Sequence, residues 1–153
     1  MQVTLHAVGK RMPDWVAAGV EDYRKRLPSH WRFRIKEVVQ APASDRLSEM
    51  AVEAKSLLAN VDAKSHLVCL DPHGKSWSTE DLASELERWQ GLGKPLAFLI
   101  GGPQGLHQRC LDRADQSMSL SRLTFPHPLV RVVLLEQLYR AHSLLTNHPY
   151  HRG

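Results

Sequence analysis

Cysteine is scarce in this chain: Cys69 and Cys110 are the two among 153 residues. Both sit inside apolar patterns, which reads as two buried free thiols in a reducing compartment rather than a disulfide or a metal pair. No apolar run approaches the roughly 20 residues needed to cross a bilayer. Residues 1–20 hold no apolar core behind a basic start, so no signal peptide is expected. A soluble, cytoplasmic protein is the expectation. Repeats, low-complexity tracts and dividing linkers are absent too, so residues 1–153 are expected to form a single domain. Several short catalytic motifs are also missing. There is no G-x-G-x-x-G, no Walker loop, no nucleophile elbow and no H-E-x-x-H.

What is present is a globular composition, 42% hydrophobic and 24% charged. The formal charge of +4 and a pI near 9.3 are compatible with an anionic partner. Val3, Leu5 and Ala7 alternate as in a strand, and residues 9–11 break it. Val16, Val20, Tyr23 and Leu27 recur at helical spacing, with Asp14 as candidate N-cap and Pro28 beyond the end. Phe33, Ile35 and the pair Val38-Val39 suggest a second strand whose other face carries Arg32, Arg34 and Lys36. That stripe reads as a solvated face, with an RNA-facing stripe as the lesser alternative. Residues 40–46 read as a loop. Leu47, Met50, Ala51, Ala54, Leu57 and Leu58 form a helical stripe. Residues 66–70 make a buried strand that ends in the loop 71–74. Ser78 with Asp81 suggests a cap before the helix of Leu82, Leu86 and Trp89. Residues 96–100 are another buried strand. Leu106, Cys110 and Leu111 suggest a short helix, and residues 118–121 a fifth strand. The longest helix runs from Val130 to Leu145, with Pro149 preventing its continuation. Strands alternate with helices throughout. The expected class is α/β, a mostly parallel sheet with helices on both faces.

Ligands bind such sheets beyond the carboxyl ends of the strands. Three ends draw attention, after Leu70, Ile100 and Ser121. The second opens into Gly101-Gly102-Pro103-Gln104-Gly105, where a tight turn and a ligand loop both remain open readings. The third opens into residues 121–128, whose Pro126 and Pro128 impose an irregular backbone. Its N–H and C=O groups need partners if buried, and a cofactor with an adenine edge and an amino-acid moiety would supply them. The tail gathers His148, Tyr150, His151 and Arg152. Two histidines three apart, with no carboxylate nearby in sequence, are poor zinc ligands, so no metal is expected. Composition alone would leave this tail as a frayed terminus.

Residues 99–106 and 123–132, the stretch 136–141 and the ending Asn147-His148-Pro149-Tyr150-His151-Arg152 resemble the bacterial RlmH family. The N-terminal Ala7-Val8-Gly9-Lys10 and Met12-Pro13-Asp14-Trp15 fit as well, so the likeness covers the whole chain. Its members are SPOUT-class methyltransferases that use S-adenosylmethionine to methylate N3 of a pseudouridine in helix 69 of 23S rRNA. The resemblance implies a homodimer and a C-terminal trefoil knot that binds the cofactor; knots are otherwise rare. It places the cofactor on Leu70, Gly101, Leu120, Ser121, Arg122, Leu123, Thr124 and Phe125. Gln104 stands where relatives often carry Glu, which keeps the size of that side chain and removes its charge.

Methylating an imide nitrogen requires positioning against the methyl group and removal of the N3 proton. The catalytic candidates are His148, Tyr150, His151 and Arg152. Tyr150 would stack on the splayed base, His151 would take the proton, and Arg152 would hold a phosphate or base oxygen. With no appended RNA-binding module, the expected substrate is helix 69 within the 50S subunit or 70S ribosome. The alternatives are a SPOUT methyltransferase acting on tRNA and a non-catalytic ribosome-binding factor. A basic nucleic-acid binder without cofactor is a cruder third.

Overall fold

The N-terminal alternation becomes strand β1, Val3–Val8, with all six residues buried. It is buried because it lies between two parallel neighbours, β2 (Arg34–Val38) and β4 (Leu96–Ile100). Beyond β4 lies β3 (His66–Ser76), and β5 (Gln116–Ser119) closes that edge. The computed structural model, which describes residues 1–42 and 44–152, thus holds one all-parallel sheet in the order β2-β1-β4-β3-β5. Helices α3 (Thr79–Gln90) and α5 (His127–Leu145) cover one face, over Leu5, Val68 and Phe98. Helices α2 (Arg46–Ala59) and α4 (Gln108–Arg113) cover the other, over Val8, Leu67 and Leu99. Helix α1 (Asp14–Arg24) packs outside α5. The α/β class, with helices on both faces, is as expected. Both cysteines are buried free thiols, and burial pushes Cys69 up to about 12 and Cys110 up to about 11. No helix among the described residues is long and apolar enough to cross a membrane.

Several local expectations need correction. Asp14 is the first helical residue rather than the N-cap; Pro13 caps, its carbonyl accepting from Val16 and Ala17. The helix ends at Arg24, so buried Leu27 lies beyond it. Strand β3 does not stop at Leu70. Its pairing to β5 shifts, so that Leu70 and Lys75 both face Met118 and residues 71–74 bulge between them. Strand β5 starts two residues early because Asp115 N–H bonds Leu67 O at 2.8 Å and Gln116 pairs with Val68; Leu120 and Ser121 lie past its end. Leu106 precedes α4, which starts at Gln108 behind a His107 cap. Strand β2 starts at Arg34 and ends at Val38, leaving Phe33 before it and Val39 exposed beyond it, and Arg32 leaves the face of Arg34 and Lys36, having a left-handed backbone at φ +49°. The Asp45 side chain accepts from Ser48 N–H and starts α2 at Arg46, while residue 43 of the expected loop lies outside the described residues. In α2, Leu47 is exposed and Glu53 is buried, the reverse of the apolar stripe. The Ser78–Asp81 capping box is present as expected.

Candidate active site

The bulge after Leu70 in β3, the end of β4 at Ile100 and the segment that leaves β5 all open into one cavity of about 460 Å³ at the carboxyl edge of the sheet. That volume lies in the range of small-molecule sites. Leu70 and the bulge after it form one wall, the glycine loop a second, and residues 119–121 with 123–127 a third. The apolar lining comes from Leu70, Ile100, Leu120, Leu123, Phe125 and Val130.

The glycine loop is both a tight turn and a cavity wall. Gly105 N–H bonds Gly102 O at 3.0 Å, and the two residues form an isolated bridge. That closure brings Gly105 over Gly101. A Cβ on Gly101 would stand 2.7 Å from the carbonyl carbon and oxygen of Gly105. Gly105 has φ +89°, open to glycine without strain.

The third wall is irregular and bonds to itself. Ser119 Oγ donates to Ser121 O at 2.8 Å, and Ser121 Oγ accepts from Leu123 N–H at 2.9 Å. Leu123 is left 74% exposed at the cavity, a large apolar side chain in want of a partner. Pro126 then caps α5 and Pro128 sits in its first turn, where a missing N–H costs no helical bond.

Of the eight cofactor residues implied by the resemblance, Leu70, Gly101, Leu120, Ser121, Leu123, Thr124 and Phe125 line this cavity. Arg122 is exposed and is not part of the lining. His127 lines the cavity without having been singled out. Burial, and then the Arg131 charge, lower its pKa, so the imidazole is neutral near pH 7. Its only sequence signal is its place between two prolines. Arg131, one turn on, is buried. It pairs with Glu37 and donates to Gly9 O at 2.8 Å and Val8 O at 3.2 Å, which pins the start of α5 to the end of β1.

The tail is ordered elsewhere. Residues Pro149–Arg152 form a 3-10 turn folded back on α5. His148 N–H bonds Ser143 O at 2.8 Å, and its Nδ1 accepts from Tyr150 N–H at 3.2 Å. The Tyr150 ring lies 4.5 Å from that of Tyr139, with the Arg140 guanidinium 4.9 Å above it. Its hydroxyl donates to Glu136 at 3.2 Å and meets Tyr23 of α1 at 3.4 Å. Burial, the Tyr23 bond and Glu136 raise the Tyr150 pKa, so this side chain is a neutral phenol. His151 is half-buried, with a buried Nδ1 that lacks a hydrogen-bond partner among the described residues, and Arg152 is exposed. None of the four tail residues lines the cavity. The cavity meets the first turn of α5, and the tail packs on its second half. A helix of 19 residues is about 28 Å long, so the two groups lie apart along it.

An all-parallel sheet with its cavity at the carboxyl edge defines an α/β ligand-binding domain. The chain matches a family model described as "Predicted SPOUT methyltransferase" over residues 1–151. It is also similar at full length to two curated relatives, both named ribosomal RNA large subunit methyltransferase H. The one from Methylococcus capsulatus is 49% identical over 155 residues, spanning 99% of this chain and 100% of the relative. The one from Marinomonas sp. (strain MWYL1) is 44% identical over the same coverage. The chain belongs to the SPOUT methyltransferase family.

Proposed function

We propose that this chain is an S-adenosylmethionine-dependent methyltransferase of large-subunit ribosomal RNA, acting at N3 of a pseudouridine in the helix 69 loop of 23S rRNA. The observation that carries the reading is the convergence of the β3 bulge and the segments leaving β4 and β5, with seven of the eight implied cofactor residues, on one apolar cavity. The relatives' printed name supplies the RNA class.

The cavity suits the cofactor chemically. Leu70, Ile100 and Leu120 offer apolar surface to an adenine ring, and irregular backbone after Ser119 offers N–H and C=O groups to its polar edge. Gly101, with no room for a Cβ, lets main chain approach a ligand closely. When bound, S-adenosylmethionine supplies a methyl group activated by a sulfonium.

The remaining work falls to the chain's own residues. The cavity walls exclude water and hold the acceptor base, which is catalysis by positioning. Tyr150, as a neutral phenol, stacks on the splayed base. His151 takes the imide proton and Arg152 holds a phosphate or base oxygen, stabilising the charge left on the pyrimidine. His148 sets the tail's turn through Ser143 and Tyr150. The separation of tail and cavity along α5 supports a homodimer in which one protomer's tail meets its partner's cavity. The implied trefoil threading of the C-terminal part, and a cytoplasmic location, belong to the same reading.

The test is transfer of labelled methyl groups to ribosomes that lack the modification, with the nucleotide mapped by mass spectrometry. Label at the helix 69 pseudouridine is expected. Label on tRNA overturns the target, and equal activity on naked 23S rRNA overturns the assembled substrate. A chain truncated after Asn147 is expected to bind cofactor and transfer nothing; undiminished transfer overturns the tail's role. Cofactor at a hundred times its Kd should stabilise the fold by about 2.7 kcal/mol.

A further inference from the structure

Glu53 breaks the pattern of α2. It occupies the buried side of that helix at 3% exposure, a position where an apolar residue would be expected. Its Oε2 accepts from Ala41 N–H at 3.0 Å. Its Oε1 is buried and has no hydrogen-bond partner among the described residues. Burial raises its pKa, opposed by the Ala41 bond, and the charge of Glu49 adds to the rise. A buried carboxyl with half its capacity unused destabilises the fold. Residues that violate the inside-outside rule concentrate where function requires them.

The same carboxyl lies against the glycine loop. A Cβ built on Gly102 would stand 3.1 Å from Glu53 Oε1, 3.3 Å from Oε2 and 3.0 Å from Val8 Cγ1. One side chain therefore touches both the loop that leaves β2 and the loop that leaves β4. The former is also tied to α2 by two exposed carboxylates, Glu49 on the helix and Asp45 at its N-cap. Glu49 accepts from Ser44 N–H at 2.8 Å, and Asp45 accepts from Ser48 N–H at 3.0 Å. Glu53 is the one that reaches under the cavity wall.

We propose that Glu53 is a positioning residue that clamps the 40–42 segment to the glycine loop and so holds Gly101 and Gly102 in the shape that binds cofactor. This rests on the reading of the cavity as the S-adenosylmethionine site. Glu53 does not line the cavity, and its action runs through Gly102.

The experiment is calorimetric titration of S-adenosylmethionine into the full chain, its Glu53→Ala, Glu53→Gln and Gly102→Ala variants, and the Glu53→Ala/Gly102→Ala double variant. Steady-state methyl transfer to ribosomes runs alongside. Glu53→Ala is expected to weaken cofactor binding about tenfold and raise the cofactor KM to match, with kcat within twofold. Glu53→Gln keeps an acceptor for Ala41 and restores affinity to within about threefold. Gly102→Ala also weakens binding, and the double variant loses less than the product of the single losses, because truncating Glu53 frees space for the new methyl group. Hydrogen exchange on the unaltered chain gives a measurement independent of any variant's folding: cofactor should slow exchange at the Ala41 amide as well as in the glycine loop. Unaltered binding that is unchanged in a folded Glu53→Ala chain, or an Ala41 amide indifferent to cofactor, overturns this inference alone. A natural chain that binds no S-adenosylmethionine overturns the reading of the cavity and the inference with it.

Discussion

Replacing Gly101 by alanine tests whether the glycine loop is a close-packed cradle. The added Cβ would stand 2.7 Å from the Gly105 carbonyl carbon and oxygen and 3.1 Å from Leu106 N. Comfortable carbon contacts begin near 3.5 Å, so the nearest overlap is about 0.8 Å. Every one of these neighbours is backbone, and the Gly102–Gly105 bridge holds that backbone in place. No side chain can swing away, so the loop itself must open. Overpacking of this kind costs about 1–3 kcal/mol, and at 2–4 °C per kcal/mol for a chain of this size Tm should fall by about 2–12 °C. Because the same loop is a cavity wall, cofactor affinity should fall at least tenfold. Urea denaturation gives the stability and calorimetric titration the affinity. Gly93→Ala is the matched control. Gly93 has φ +68°, but open space surrounds it, so alanine there pays backbone strain of about 1–2 kcal/mol and leaves binding alone. A Gly101→Ala chain that binds cofactor like its parent, or a Gly93→Ala chain equally impaired, refutes the steric argument.

Arg131→Met removes a buried cation and its bonds to Glu37, Val8 O and Gly9 O. Breaking a buried pair costs 3–5 kcal/mol, and the Glu37 side chain, 34% exposed, can regain water, so about 3 kcal/mol is expected from urea denaturation. A loss below about 1 kcal/mol contradicts the pinning of α5 to β1. His6 provides the pH dependence. Burial, and then Lys36, push its pKa down to about 4 from 6.5. The unfolded chain therefore binds a proton between these values that the folded chain refuses, so stability falls as pH drops from about 6.5 to about 4. The loss at the acid end is about 3 kcal/mol. His6→Gln should flatten that part of the stability–pH curve, and superimposable curves for the two chains would show the shift to be absent.

The fold was readable where periodicity and burial agree. Residues 66–70 and 96–100 are buried on both faces because parallel strands are covered on both sides, so their short unbroken runs marked them as buried strands. Boundaries escaped where hydrogen bonds decide them. Strand β5 begins at Gln116, whose side chain carries no apolar signal but accepts from the indole N–H of Trp89 at 2.7 Å and lies 2.7 Å from His66 Nε2. The bulge in β3 depends on Gly74, where a Cβ would stand 2.8 Å from Met118 N. That constraint comes from a strand more than 40 residues on, outside any local window.

The site divides along the same line. Turn chemistry at residues 101–105 and the two prolines around His127 are local signals that left a turn and a ligand loop both open; in the fold both stretches line the cavity. The tail carried none, since residue types alone describe an expendable end; its order comes from Tyr150, whose hydroxyl finds Glu136 and Tyr23 across two helices. Glu53 was the most hidden. In sequence it is one more charge on an amphipathic helix, and one residue along lies Ala54 of the true apolar stripe. Its burial shows only in the fold, where Oε2 accepts from Ala41 N–H and the carboxyl lies beside Gly102, 49 positions later. Both cases have one physical cause: a polar group kept inside by a distant partner looks, to any local pattern, like a solvated one. Positions where a buried polar atom lies close beside a glycine, so that a Cβ would crowd it, are therefore where the sequence is least informative and where substitution should be most revealing.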